Sequence, residues 1–264
     1  MSPASVESLF SLDGKTCLVT GGSRGLGYQM AKGFLDAGAA RVYITARTAQ
    51  ACEEAASSLS EHGECVAVPC DISSVANIEK LVADLTGRED HVDVLVNNAG
   101  TAWGGAFDEY PEKGWDKVMN LNVKSPFFLT QAMTPLLKKN ATADNTACVI
   151  NIGSIAGIIG DGFQNYSYGP SKAAVHQMTR NLAKDLAEEH IRVNAIAPGR
   201  FFSKMTEYAS KNKKQYEAEI AAIPLHRWGG DTDIAGVAIM LASKAGAFIT
   251  GEIIRVDGGA TLVS

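Results

Sequence analysis

Short apolar runs alternate with amphipathic helical stretches along almost all of this 264-residue chain, and no other feature limits its fold so tightly. Strand-like runs stand at Thr16-Cys17-Leu18-Val19-Thr20, Arg41-Val42-Tyr43-Ile44-Thr45-Ala46, Glu64-Cys65-Val66-Ala67-Val68-Pro69 and Val92-Asp93-Val94-Leu95-Val96. They recur at Ala147-Cys148-Val149-Ile150-Asn151-Ile152, Ile191-Arg192-Val193-Asn194-Ala195-Ile196-Ala197 and Glu252-Ile253-Ile254-Arg255-Val256. Between them apolar residues repeat at helical spacing, as in Met30, Ala31, Phe34 and Leu35, or Val75, Ile78, Leu81, Val82 and Leu85. A strand apolar at successive positions is covered on both faces, and a helix between two strands provides the crossover that parallel pairing requires. The pattern predicts an α/β fold, a doubly wound parallel sheet in a single domain spanning residues 1 to 264. Residues 1 to 12 read as a short arm and Asp13-Gly14 as a turn before the first strand.

In such a sheet, ligands sit beyond the C-terminal ends of the strands. The first strand runs into Gly21-Gly22-Ser23-Arg24-Gly25-Leu26-Gly27, which opens directly into a helix. Glycines allow tight turning and close backbone approach there, and the helix N-terminus aims N–H groups at an anion such as a phosphate. Taken alone such a motif is about as often a plain turn; its place between strand and helix strengthens the phosphate reading. The second strand ends at Ala46-Arg47, where a dinucleotide fold would present an acid to the adenosine ribose; no acid is present. Arg24 and Arg47 at the two places facing one ribose 2′ position favour a phosphate there, hence NADP(H). Asp71 and Asn98 end the next two strands and can face the same ligand.

A second group lies downstream. Ser154 ends an apolar strand, and Tyr168 and Lys172 are four residues apart at the start of a long helical pattern, so they share one face about ~6 Å apart along the axis. A phenol is a poor proton donor or acceptor at neutral pH, and a neighbouring ammonium favours its ionised form. An isolated Tyr and Lys at this spacing are ordinary surface residues, so the upstream motifs carry the weight. Asn122 sits inside a helical pattern, where asparagine competes with the backbone for hydrogen bonds.

Composition narrows the partners. Apolar residues make up 46% of the chain and charged residues 20%, which fits a soluble globular protein. No apolar run reaches the ~18 residues of a membrane span. Met1-Ser2-Pro3-Ala4-Ser5-Val6-Glu7-Ser8 has neither the basic start nor the apolar core of a secretory signal, so a cytoplasmic location is expected. A net charge of -5 argues against nucleic acid or an anionic membrane as partner. The five cysteines, Cys17, Cys52, Cys65, Cys70 and Cys148, form no C-x-x-C pair and read as buried free thiols; no metal site is expected.

Thr20-Gly21 with Gly25 and Gly27, Asn97-Asn98-Ala99-Gly100, Asn122, Ser154, Tyr168 with Lys172, Pro198-Gly199 and Asp257-Gly258-Gly259 follow one another in the order and spacing of one family. Over nearly its whole length the chain resembles the short-chain dehydrogenases/reductases. The resemblance implies a Rossmann fold, an NADP(H) cofactor and hydride transfer to or from a carbonyl or secondary alcohol. Tyr168 would be the acid/base, Lys172 would lower its pKa and bind the nicotinamide ribose, Ser154 would hold the substrate oxygen, and Asn122 would support a proton-relaying water. Cofactor contacts would come from Gly21, Ser23, Arg24, Gly25, Leu26, Gly27, Arg47, Asp71, Ile72, Asn98, Ala99, Gly100, Tyr168, Lys172, Pro198, Gly199, Phe201 and Ser203, the last standing where the family usually has threonine.

Tyr166 is a decoy, because its i+4 residue is Pro170. The interval from Ser154 to Tyr168 is one residue longer than is usual in the family, in the loop 157–165. Residues 200–225 would form a substrate lid, and Trp103, Phe163, Phe201, Phe202 and Tyr208 would line or cap an apolar pocket or equally serve as core or subunit contacts. The chain looks most like 3-oxoacyl thioester (acyl-carrier-protein) reductases. A sugar-acid or polyol dehydrogenase resembling gluconate 5-dehydrogenase is the second reading, and a non-catalytic NADPH-binding regulator the third. Two long helices carrying Phe128, Ala132, Val175 and Met178 on several faces, together with the resemblance, imply a homotetramer.

Overall fold

Seven parallel strands, in the spatial order β3-β2-β1-β4-β5-β6-β7, form one sheet with helices on both faces in the computed structural model, which describes residues 5–160, 164–202 and 212–262. The strands are β1 (Thr16–Thr20), β2 (Arg41–Thr45), β3 (Cys65–Ala67), β4 (Val94–Asn97), β5 (Ala147–Ile152), β6 (Ile191–Pro198) and β7 (Ile253–Val256). Every neighbouring pair is parallel. The order reverses between β1 and β4, and this switch opens the crevice where such sheets bind ligands.

Side chains alternate along each strand and so divide the core in two. Cys17, Val19, Val94, Val96, Cys148 and Ile150 point to one face, under α2 (Gly25–Asp36), α3 (Ala49–Leu59) and the helix Asp231–Ala242. Leu18, Leu95, Val149 and Val193 point to the other, under α4 (Val75–Arg88), α6 (Ser125–Lys138) and α7 (Tyr168–Leu186). Helix α5 (Glu112–Met119) precedes α6, α8 is Lys213–Ala221, and Asp231–Ala242 is α9. Gly33 lets α2 and α9 meet closely, since a Cβ there would stand 2.8 Å from Ala235 Cβ.

Four details depart from the sequence reading. The expected arm contains a helical turn, α1 (Val6–Phe10), because Ser5 Oγ caps it by accepting from Ser8 N at 3.1 Å. Cys17, Cys52 and Cys148 are buried, but Cys65 and Cys70 lie near the sheet edge and are partly exposed. The apolar helix running through Asn122 is not uniform: Asn120–Lys124 forms a π-turn between α5 and α6. Strand ends differ from the expected ones by a residue or two, as fraying ends do.

Candidate active site

The turn from β1 into α2 is held open by glycine. Gly21 and Gly25 take φ of +64° and +55°, the left-handed region that a side chain disfavours. Gly27 is constrained by space: a Cβ would collide with Gly21 O and Asn98 Nδ2. Asn98 explains the closeness, because its amide donates to Thr20 O at 2.9 Å and Gly21 O at 3.1 Å. Thr20 Oγ1 completes the clamp, donating to Val96 O and accepting from the N–H of Asn98 and Ala99. The result is a backbone cradle at the N-terminus of α2, a fit for a dinucleotide phosphate.

Strand register brings the neighbouring groups alongside. Thr20 pairs with Thr45, and Gly22 N donates to Thr45 O at 3.1 Å, so Ser23 and Arg24 stand next to Ala46 and Arg47. Both arginines are exposed, and neither is ion-paired with a carboxylate among the described residues. Asp71 is exposed, its Oδ1 accepting from Ser73 N. Ile72 is only 4% exposed with its side chain in the core, so contact with a cofactor would come from its backbone. The same holds for Phe201, whose ring is buried against Gly229. Pro198 ends β6, and Gly199 fits against Asp257, where a Cβ would stand 2.8 Å from its Cα. Ser203, Phe163 and Tyr208 lie outside the described residues, as do positions 203–211 of the expected lid.

The candidate reacting groups converge on α7. Lys172 is buried, donates from Nζ to Ile152 O at 2.7 Å, and lies with Nζ 5.6 Å from the centre of the Tyr168 ring. Burial pulls its ammonium down to about 8. Ser154 follows β5 at the head of the short turn Ile155–Gly157, its Oγ accepting from Ala156 N at 3.1 Å. Two glycines press that turn onto α7. A Cβ at Gly157 would stand 2.6 Å from Ala173 N, and one at Gly169 would stand 2.9 Å from Ala156 O. Ser154, Tyr168 and Lys172 are thereby drawn to one end of the sheet.

The π-turn turns Asn122 inward. Its Oδ1 accepts from Thr101 N at 2.9 Å, and its Nδ2 donates to Thr101 O at 2.9 Å and Ser171 Oγ at 3.0 Å. Ser171 Oγ in turn donates to Tyr168 O at 2.7 Å. Gly100 sits between Asn122 and Lys172, a Cβ there being 3.3 Å from Oδ1 and 3.7 Å from Nζ. Tyr166 stays outside the helix, in edge contact with Phe107 and Tyr110. Trp103 packs over Gly114 and under the Lys117 ammonium, 5.3 Å from the ring centre. Phe202 joins Tyr216 and Trp228 in a three-ring cluster beneath α8. Among the described residues no group of three His, Cys, Asp or Glu is placed to hold a metal ion.

Sequence reading missed the polar ladder beneath the site. Asn97 and Asn151 face one another across β4 and β5, with Asn97 Nδ2 donating to Asn151 Oδ1 at 2.8 Å and to Thr130 Oγ1 on α6 at 3.0 Å. Asn151 Nδ2 then donates to Thr179 Oγ1 on α7 at 2.9 Å. Polar residues within apolar strands were the available signal; their pairing depends on the register.

A family model described as Enoyl-(Acyl carrier protein) reductase matches residues 21–261. The chain is 53% identical over 250 residues to the Pseudomonas aeruginosa 3-oxoacyl-(acyl-carrier-protein) reductase of rhamnolipids biosynthesis, covering 95% of this chain and 97% of that one. It is 36% identical over 254 residues to the 2-dehydro-3-deoxy-D-gluconate 5-dehydrogenase of Escherichia coli, covering 96% and 98%. The Pseudomonas aeruginosa RhlG/NADP complex superposes with a TM-score of 0.93 at 52% identity, covering 96% and 98%. A gluconate 5-dehydrogenase from Burkholderia cenocepacia in complex with NADP and tartrate gives 0.91 at 28%, covering 98% and 100%. With the strand order, the glycine cradle and the converging Ser154, Tyr168 and Lys172 already in place, these matches show that the chain belongs to the short-chain dehydrogenase/reductase family.

Proposed function

We propose that this protein reduces a ketone to a secondary alcohol with NADPH, its substrates being 3-oxoacyl thioesters. The observation that carries the reading is the Lys172 ammonium, buried and 5.6 Å from the centre of the Tyr168 ring. A cation there favours phenolate, so the phenol gives up its proton more readily to an oxygen that is gaining charge. Bound NADPH supplies the hydride. Ser154 holds the carbonyl oxygen, Tyr168 donates the proton, and Lys172 stabilises the phenolate left behind. Asn122, bonded to Thr101 and Ser171, keeps the Gly100 turn and the first turn of α7 in place. Residues 200–225 act as the lid, anchored by the ion pair of Arg200 Nε with Glu219 Oε2 at 3.3 Å.

The thioester reading is supported by the relative at 53% identity and by the apolar surroundings: Phe107, Ile158 and Phe202 expose large side chains on segments that flank the reacting groups. Sugar-acid dehydrogenation is the second reading, favoured by the 36% relative. A polyhydroxy acid, however, calls for polar partners at this rim. Enoyl reduction, named in the description of the matching family model, would not need Ser154 beside a carbonyl oxygen. A homotetramer in the cytoplasm is part of the same proposal.

The test is NADPH consumption with a panel of 3-oxoacyl thioesters of increasing chain length, enoyl thioesters and ketogluconates. Preference for 3-oxoacyl thioesters by at least about tenfold in kcat/KM is expected; an equal preference for a ketogluconate overturns the substrate assignment. Tyr168→Phe is expected to lower turnover by about 10² to 10⁴ while NADPH still binds. Retained turnover in that variant, with loss in Tyr166→Phe, would move the active site.

A further inference from the structure

We infer that His176 is a positioning residue for the reaction: its imidazole packs beneath the turn carrying Ser154, filling the space between that turn, the sheet end and helix α7, and so sets where Ser154 stands relative to Tyr168 and Lys172. The inference rests on the reading of those three residues as the reacting groups. His176 is one helical turn beyond Lys172 and two beyond Tyr168, on the same face of α7, and only 5% exposed. Its ring touches both ends of the Ser154 turn. A Cβ at Gly153 would stand 2.7 Å from Cδ2 and collide with Nε2, and one at Gly157 would stand 3.0 Å from Cε1. Gly153 is in turn fixed to β6 by its N–H, donated to Ile196 O at 2.8 Å. The ring therefore fills the space between sheet end, turn and helix, and Ser154 lies on the turn it props.

A plain apolar residue would fill that space without cost, yet His176 Nε2 is buried with no partner among the described residues. An orphaned buried polar atom is uncommon and is retained where shape or chemistry requires it. The ring is held between Gly153 and Gly157, so the imidazole is oriented by its packing. Burial, and after it the charges of Lys172 and Arg180, hold the ring down to about 4, so it is neutral in the working range. A neutral wedge next to Lys172 leaves the lysine's charge directed at Tyr168.

The test is a double-mutant cycle. His176→Ala and His176→Gln are made in the wild type and in a Ser154→Ala background, reading kcat, KM for the carbonyl substrate, NADPH affinity and Tm. His176→Ala is expected to lower kcat by about tenfold to a hundredfold, as a displacement near 1 Å does, with NADPH affinity within about twofold of wild type. His176→Gln, whose amide reaches to a similar depth, is expected to recover most of kcat. In the Ser154→Ala background His176→Ala is expected to cost little further kcat, since the group it positions has gone. Equal losses in both backgrounds overturn the inference and leave the functional reading intact. A fully active Ser154→Ala enzyme overturns both. Should His176→Ala fail to fold, His176→Asn, one methylene shorter than the glutamine, carries the same cycle.

Discussion

An ammonium buried with Ile152 O as a hydrogen-bond acceptor is held against its own hydration, and that burial lowers Lys172 to about 8. The sign follows from proton counting. Below about 8 lysine is charged in both folded and unfolded chains, and the folded state bears the full cost of burial. Between about 8 and the ordinary lysine value of 10.5 the unfolded chain binds more protons, so stability rises with pH. Lys172→Met is therefore expected to stabilise the cofactor-free protein at pH 7 by up to about 3 kcal/mol while abolishing turnover. Denaturant unfolding at pH 7 and pH 10 checks it, and the gain should shrink at the higher pH. At the cofactor's other end, Ala46 stands where an acid would select a ribose hydroxyl, next to exposed Arg24 and Arg47. Preference for NADPH over NADH is expected to be about tenfold to several hundredfold in kcat/KM. Ala46→Asp should erase most of it and Arg47→Ala part of it; an unchanged ratio in Ala46→Asp would mean that the 2′-phosphate lies elsewhere.

Junctions between elements do more here than the elements themselves. At the β1–α2 junction, Asn98 reaches from the end of β4 to hold Thr20 O and Gly21 O, and Gly27 must lack a side chain to let it through. Gly27→Ala is expected to displace that amide, lower stability by about 1–3 kcal/mol and weaken NADPH binding. Thermal unfolding with and without NADPH separates the two effects, because loss of the cradle reduces the ligand-induced rise in Tm beyond the loss of stability itself. The π-turn between α5 and α6 works in the same way. One residue accommodated in a wider turn brings Asn122 against Thr101 and Ser171 and so ties the Gly100 loop to α7.

At the scale of the whole molecule, the sheet ends in β7, an edge whose Ile253, Ile254 and Val256 are only half buried, next to a fully exposed Phe248. On α6, Phe127 is 38% exposed and Phe128 and Ala132 are partly buried, and Met178 on α7 is also partly buried. Val175, counted from sequence among the surface-facing apolar residues, is instead 2% exposed within this chain's own core. The remaining faces still leave apolar surface for a second copy to cover. Light scattering at micromolar concentration is expected to give the mass of four chains; a monomer would rule the assembly out.

The sequence by itself determined the fold class, because two-faced apolar strands such as Thr16–Thr20 and Ala147–Ile152 can be covered only by helices on both sides of a parallel sheet. It also placed the candidate ligand-facing residues, since in such a sheet these end strands or begin helices, the positions that Gly21, Arg47, Asn98, Ser154 and Tyr168 occupy. Spacing along one helix was enough to pair Tyr168 with Lys172. What only the tertiary structure decided are the contacts between segments far apart in the chain. Asn97 with Asn151, Asn98 against Gly27, Asn122 with Ser171, and His176 between Gly153 and Gly157 depend on strand register and on how closely a helix approaches a turn. Those distances are set by packing of the whole core, to which every strand and helix contributes, and no local pattern encodes them.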